Sequence, residues 1–267
     1  MMKKRYPLII LLAFSVFVIA CEKKAEKPDE EMQAVEKTGG EAETAAYQVV
    51  EVTHGGTIKG MVTYAGAIPP KQKVAITKDL QVCGAVEHYK EDLVVSQYKS
   101  LANVVVSIAN IRKGKAMDAL GQTFELNQKG CLFIPHVTLV PVGKELHILN
   151  SDGILHNVHT YSEKNSPVNI AQPRFKKRIK QVFKEPEIIR VACDVHNWMG
   201  AYIVVADHPY YAITDKMGNF ELIGVPEGTY TLEYWQETLG KQTAEVTVPE
   251  GGTVDGNFEF AAGSGTN

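Results

Sequence analysis

Cysteine is scarce, with four residues in a chain of 267. Four are too few for a small fold stapled throughout by disulfides, and each therefore needs its own account. An excess of one charge is also missing. Lys and Arg number 28 against 31 Asp and Glu, for a net charge of -3, which excludes the broadly basic surface of a nucleic-acid binder. Aromatic residues make up only 8%, yet 45% of the chain is hydrophobic and 22% charged, a balance that excludes disorder along its whole length. Long apolar runs are lacking too. The stretch Leu8 to Ala20 falls short of the roughly 20 residues needed to span a hydrocarbon core. No long segment repeats its apolar residues at helical period, so a helical bundle is excluded. The chain has no C-x-x-C-H haem motif and no flavin motif.

What is present begins with an address. Lys3, Lys4 and Arg5 precede the short apolar run, the pattern of a secretory signal over residues 1–20. The run ends Val18-Ile19-Ala20-Cys21. This resembles a bacterial lipobox, which implies acylation of Cys21 and a lipid anchor at the periplasmic face of a membrane in the bacterial cell envelope. Glu22 rather than Asp follows the cysteine, so the choice of inner or outer membrane stays open. Residues 21–50 read as a flexible linker. Glu22 to Ala46 has no aromatic residue and cannot bury enough surface to offset its ordering entropy; a short helix around Glu30 to Lys37 is allowed.

From residue 47 short β-branched or alternating runs follow one another between Gly and Pro: Thr57–Val62, Asn103–Ile108, Val137–Val140, Leu146–Leu149, Ile188–Val191, Tyr202–Val205, Phe220–Leu222 and Tyr230–Glu233. Such spacing predicts sandwiches or barrels. Beyond the linker, a turn near Gln172 to Lys177 is the only helical candidate. Charge divides the chain: residues 207–267 carry two basic and ten acidic residues, residues 116–206 ten and eight, and residues 51–115 nine and five. This suggests separate modules.

Two clusters carry chemistry: Leu155-His156-Asn157-Val158-His159 and Cys193-Asp194-Val195-His196-Asn197-Trp198-Met199. A thiolate, imidazoles and a thioether are donors suited to copper. Zinc competes for Cys and His but has little use for Met. Two His, one Cys and a weak axial Met form the blue-copper set.

With these residues in place, Phe124 to Val205 resembles a small cupredoxin of the amicyanin type. The tract H-N-V-H and the short loop Cys193-x-x-His196-x-x-Met199 carry the resemblance. Phe133-x-Pro135, the run Val142-Gly143-Lys144-Glu145-Leu146, Asn150 and the closing Met199-Gly200 with Tyr202 to Val205 support it. It implies one type 1 copper ion held by His156, Cys193, His196 and axial Met199. It also implies that Asn157 ties the two ligand loops together and that His196, nearest the surface, is the electron exit. Trp198 and Leu155 would form an apolar docking rim, or Trp198 simply packs the loop. Arg174, Lys176, Lys177, Arg178 and Lys180 are candidates for steering an acidic partner. Three features depart from the family pattern. Asp194 stands where Ser or Thr is common, Val191 where an aromatic residue is common, and no Pro flanks His196. If Asp194 points inward, it favours Cu(II).

The remaining residues admit plainer readings. His159 should lie on the strand after the ligand and not bind. His136, in Cys131-Leu132-Phe133-Ile134-Pro135-His136, either takes no part or approaches the copper or a second metal. His54, His88, His147 and His208 look ordinary. In an oxidising compartment Cys83 and Cys131 pair as a disulfide; the alternative has Cys131 and His136 binding metal.

The last stretch, 207–262, contains Thr214-Asp215-Lys216-Met217-Gly218-Asn219-Phe220 and Val225-Pro226-Glu227-Gly228-Thr229-Tyr230. These hairpins resemble the carboxypeptidase regulatory-like domain, a transthyretin-like β-sandwich. The run Gly56 to Val62 looks like that family's opening strand. Either residues 51–112 pair with 207–262 around an inserted cupredoxin, or three pieces follow in sequence, with a tail at 263–267. The expected fold is all-β, a cupredoxin Greek-key β-sandwich (116–206) plus a smaller transthyretin-like β-sandwich. The expected function is a lipid-anchored periplasmic electron carrier rather than an enzyme, because no second copper site of three histidines is visible. Its partner would be a redox protein, such as a c-type cytochrome or a periplasmic dehydrogenase. The alternatives are a copper-trafficking or copper-tolerance lipoprotein and a scaffold that binds no metal.

Overall fold

A computed structural model describes residues 47–263. The signal, Cys21, most of the linker and the helix at Glu30 to Lys37 lie outside the described residues. The linker ends earlier than residue 50. Tyr47 Oη donates to Lys115 O at 2.8 Å, and β1 (Gln48–Val49) pairs in parallel with β4 (Lys113–Gly114).

The chain is all-β, as its alternating runs predict. One group of sheets is built from β5 (Phe124–Gln128), β6 (Phe133–Ile134), β7 (Val137–Pro141), β8 (Glu145–Asn150), β9 (His156–Tyr161), β10 (Asn169–Gln172), β11 (Arg178–Val182), β12 (Glu187–Ala192) and β13 (Gly200–Ala206). They form a five-stranded sheet, β10-β9-β12-β13-β7, and a four-stranded sheet, β11-β8-β5-β6. Between these sheets lie Leu126, Phe133, Leu146, Ile148, Val158, Ile189, Val191 and Ile203. Strand β12 shows the alternation directly: Ile189 and Val191 are buried while Arg190 is exposed.

The other group joins distant parts of the chain. Strand β2 (Gly56–Tyr64) pairs with β15 (Asn219–Val225), β18 (Thr253–Asp255) and β19 (Phe258–Phe260). Strand β3 (Val105–Ile108) lies between β14 (Tyr211–Ile213) and β16 (Gly228–Gln236), and β16 pairs on its other side with β17 (Gly240–Val248). The strands before and after residues 124–206 thus share these two sheets. Ile58, Val106, Ile108, Tyr210, Leu232, Tyr234 and Phe260 fill the space between. At the turn into β15, Gly218 has φ 76°. A Cβ there would come within 2.5 Å of Val62 O, so this hairpin needs glycine.

A third buried cluster cements the two groups. Val105, Val137 and Val204 are packed with Tyr202, Tyr211 and Trp235, and the Tyr202 and Trp235 rings meet edge-on at 4.9 Å. This explains the unbroken apolar run of β13. Ile203 and Val205 face one core and Val204 the seam, so the strand is covered on both faces.

Two short helical turns depart from the sequence expectation, α1 (Leu80–Cys83) and a 3-10 turn at Met117–Leu120. Helix α1 belongs to the long connection between β2 and β3, which is fastened by a disulfide from Cys83 to Cys131. That bond excludes Cys131 as a thiolate ligand beside His136. Among the described residues no helix is long and apolar enough to cross a membrane.

Candidate metal centre

The two sequence clusters meet at one end of the five-stranded sheet. His156 opens β9, and Cys193 follows β12, which is paired with β9. The loop from Cys193 to Met199 closes on itself through Cys193 N–H to Met199 O at 3.2 Å and Met199 N–H to His196 O at 2.9 Å. It thereby turns His196 back toward the strand. Nδ1 of His196 lies 3.0 Å from Nδ1 of His156, and Cys193 Sγ lies 3.9 Å from the first-strand imidazole and 3.8 Å from His196 Nδ1. Cys193, His156 and His196 are at most 1% exposed, as is Met199 in the adjoining core.

A point equidistant from the three donor atoms falls about 2.1 Å from each, close to the ~2.0–2.1 Å and ~2.3 Å of metal–nitrogen and metal–thiolate bonds at zinc sites. Among the described residues the same three form a metal-sized cluster. The second such cluster, Cys131, Asp152 and His156, loses its thiolate to the disulfide. Two ring nitrogens facing each other across 3.0 Å, with a sulfur beside them and no other polar partner between, fit a soft cation.

Each ligand imidazole is gripped from behind. His156 Nε2 meets Asp152 Oδ2 at 2.9 Å, and His196 Nε2 meets Asp79 Oδ2 at 2.8 Å. Carboxylates in this position fix the tautomer and leave Nδ1 free for a metal. Asp152 also accepts from the backbone N–H of Gly130 and Cys131. Asp79 lies four residues before Cys83. The disulfide therefore fastens both carboxylates, Asp152 through Cys131 N–H and Asp79 through helix α1.

The electrostatics follow from these contacts. Burial works against charge on His156, but its bonds to Asp152 and Cys193 raise its pKa to about 9. Burial alone would push the Cys193 thiol up; the His156 bond and the N–H groups of Asn157, His196 and Val195 outweigh it and hold the pKa below the ordinary thiol value. His196 is lowered, by burial first and by the neighbouring charge of His156, against the pull of Asp79.

Asn157 sits where the two loops join. Its Oδ1 accepts from Asp194 N–H, its Nδ2 donates to Asn169 Oδ1 at 2.8 Å and to Asp194 Oδ2 at 3.0 Å, and its own N–H points at Cys193 Sγ, 3.4 Å away. Asp194 points outward. It is about half exposed and paired with His159 Nδ1 at 3.0 Å, so its charge is spent away from the thiolate. His159 lies on β9 outside the cluster.

Several expectations need correction. His196 is not the surface histidine. It is 0% exposed, because the 65–104 connection covers it with Asp79 and because Lys78 Nζ donates to Val195 O at 3.2 Å. Trp198 is half-buried, donating Nε1–H to Cys131 O at 3.2 Å with its ring 5.1 Å from that of His196. Leu155 remains exposed at 46%. His88 and His208 are buried but belong to no metal-sized cluster among the described residues; His88 Nε2 bonds to Cys83 O at 2.7 Å. Of the basic stretch, Lys180 is paired with Glu145 and Arg178 with Glu125. Asp79 and Asp152 were missed. Asp152 carried a signal, a carboxylate four residues before His156; Asp79 is 117 residues from His196 and carried none.

Comparison with known proteins gives limited likeness. A family model described as polysaccharide lyase family 4, domain II, matches residues 185–256. No curated protein matches the chain. Among solved structures, a copper-containing nitrite reductase from Thermus scotoductus SA-01 is similar at 20% identity and TM-score 0.30, over 32% of this chain and 22% of that one. An oxidised amicyanin variant is similar at 17% identity and TM-score 0.29, over 32% and 82%. A purple cupredoxin from Nitrosopumilus maritimus is similar at 18% identity and TM-score 0.26, over 31% and 98%. The chain thus spans about a fifth of the nitrite reductase.

Proposed function

We propose that this protein is a copper-binding single-electron carrier, held by a lipid on Cys21 at the periplasmic face of a bacterial membrane. The observation that carries this reading is the convergence of His156 Nδ1, His196 Nδ1 and Cys193 Sγ beside a buried methionine. His156, Cys193 and His196 would hold one copper ion as equatorial ligands, with Met199 as the weak axial ligand. Copper in such a set supplies a one-electron couple.

The protein's own groups do the rest. Asp152 and Asp79 keep both imidazoles in the tautomer that presents Nδ1. Asn157 locks the ligand loops in one geometry, and donor atoms already in place have little to reorganise when the charge changes. The burial of all four side chains excludes water. It also speaks against a trafficking role, which needs an exposed and exchangeable site.

With His196 covered, electrons would cross at Trp198 or beside the exposed Leu155. Arg174, Lys176 and Lys177, all exposed, would steer an acidic redox partner, such as a c-type cytochrome or a periplasmic dehydrogenase. The flanking sheets act as a scaffold of the carboxypeptidase regulatory-like kind and supply no catalytic group, so the protein is read as a carrier rather than an enzyme.

The test is the absorption spectrum of Cu(II)-loaded protein. An intense visible thiolate-to-copper band is expected, and Cys193→Ala removes it. Tight Cu(I) binding without that band would replace electron transfer by trafficking.

A further inference from the structure

Two buried histidines outside the copper-type cluster, His88 and His136, have a ring nitrogen without a hydrogen-bond partner among the described residues, and only that of His136 faces a carboxylate at short range. His136 stands between β6 and β7, with its side chain 7% exposed. Its Nε2 is bonded to the carboxylate of Glu237, which follows β16 on the other group of sheets. Its Nδ1 has no hydrogen-bond partner among the described residues. The atom it faces is Glu91 Oε2, 3.8 Å away. These groups line a cavity of about 490 Å³, with Asp92 and Tyr202 beside them.

The contacts define a chemical problem. In the neutral imidazole, donation from Nε2–H to Glu237 leaves a lone pair on Nδ1; burial opposes charge on the ring, but Glu237, Glu91 and Asp92 together raise its pKa and favour a proton there. That lone pair then faces a carboxylate oxygen, and Glu237 and Asp92 add negative charge nearby. That approach at a buried nitrogen is costly unless a positive body, a proton or a metal ion, lies between the two atoms. The Glu237–His136 pair has the form of a carboxylate–histidine–metal arrangement, with the metal side turned toward Glu91.

We propose that His136 Nδ1 and Glu91 bind a divalent transition-metal ion at the seam between the two groups of sheets, with Glu237 orienting the imidazole. Imidazole and carboxylate together suit zinc or manganese rather than Cu(I), since neither named donor is sulfur. Donors at a tetrahedral ion stand about 3.4 Å apart. The observed 3.8 Å closes by a small turn of Glu91, whose side chain is 38% exposed. Asp92 and water from the cavity complete the shell. The site shares no imidazole or thiolate donor with the thiolate centre, although Trp198 and Met199 line the same cavity. Tyr202, whose N–H donates to His136 O at 2.8 Å, lies three residues beyond Met199 on β13, about 10 Å along the strand. The ion would tie β6–β7, the 65–104 connection and β16 together.

Zinc is the probe. The full chain carrying Cys193→Ala and His156→Ala, which removes the thiolate centre, is titrated calorimetrically with Zn2+ near neutral pH. One equivalent is expected whether or not copper binds elsewhere. His136→Gln should abolish it, Glu237→Gln should weaken it ~10–100-fold, the usual effect of losing a ligand's support, and Glu91→Gln, which removes a ligand, should weaken it at least as much. Because Glu91 is partly exposed and Gln keeps its shape, Glu91→Gln decides the matter if His136→Gln fails to fold. Absence of any equivalent, or an equivalent that Glu91→Gln leaves unchanged, overturns the proposal. So does a 15N signal showing Nδ1 of His136 protonated and unmoved by saturating zinc, because a proton then fills the gap.

Discussion

The sheets formed by residues 124–206 and those formed by the flanking strands obey the same packing rules yet use buried polar groups differently. In the flanking group Thr214 and Gln236 serve backbone alone. Thr214 Oγ1 donates to Leu101 O and accepts from Val104 N–H, and Gln236 Nε2 donates to Asp92 O. In the other group several serve backbone and also link side chain to side chain. Gln128 donates to Gln172, Asn150 donates to the carbonyls of Ile154 and Gln172, and Asn157 joins Asn169 to Asp194. Side chains linked in this way add rigidity. Rigidity is what a set of metal donors needs, and a scaffold can do without it.

The largest test of this contrast is the disulfide. It closes a sequence separation of 48 residues, so replacing Cys83 and Cys131 by Ser should cost about 4 kcal/mol in denaturant unfolding. It should also loosen Asp79 and Asp152 behind the imidazoles and speed copper exchange. A stability loss with exchange unchanged would break the link between staple and metal centre.

Next comes pH. Burial holds His208, in the connection to the flanking sheets, down to about 4, with Asp207 opposing and Arg112 adding to the shift. Above pH ~6.5 the group is neutral in both folded and unfolded chains. As pH falls toward 4 only the unfolded chain takes up the proton, so stability drops across that window by about 3 kcal/mol. His208→Gln should flatten that part of the stability–pH curve, leaving the copper spectrum at neutral pH unchanged.

A matched pair sharpens the comparison. Asn157→Ala and Thr214→Val each strand buried backbone groups and should each cost about 1–3 kcal/mol. Only Asn157→Ala should alter the visible copper band; a shift of that band in Thr214→Val would show that the flanking group also shapes the site. The smallest effect belongs to Asp194→Asn. Because the carboxylate is half exposed and its bonds to His159, Asn157 and Asn169 lie at or near the surface, stability should move by no more than about 0.5 kcal/mol, with little change in reduction potential by voltammetry.

Much of this was legible in the chain. The strands at Thr57–Val62, Val137–Val140, Ile188–Val191 and Tyr202–Val205 announced themselves by β-branched runs between turn residues, and all lie within observed strands. The four donor residues announced themselves by type and by the three-residue spacing of Cys193, His196 and Met199. Strand β17 was less legible, because its polar face dominates Lys241 to Glu245. Helix α1 is a single turn, too short for any periodicity.

Local chemistry is written locally. A thiolate, an imidazole and a thioether three residues apart will share one loop wherever that loop lies, and alternating apolar residues make a strand before any partner is chosen. The pairing of that loop with His156, the closure of His196 by Asp79 and the meeting of His136 with Glu237 across 101 residues depend on which strands lie side by side. Strand order follows from the lowest free energy of the whole buried surface, to which every core residue contributes a little and no short motif contributes enough. The donors were therefore visible in the order of residues, while the cover over them and the second histidine's empty face arose only when the sheets packed.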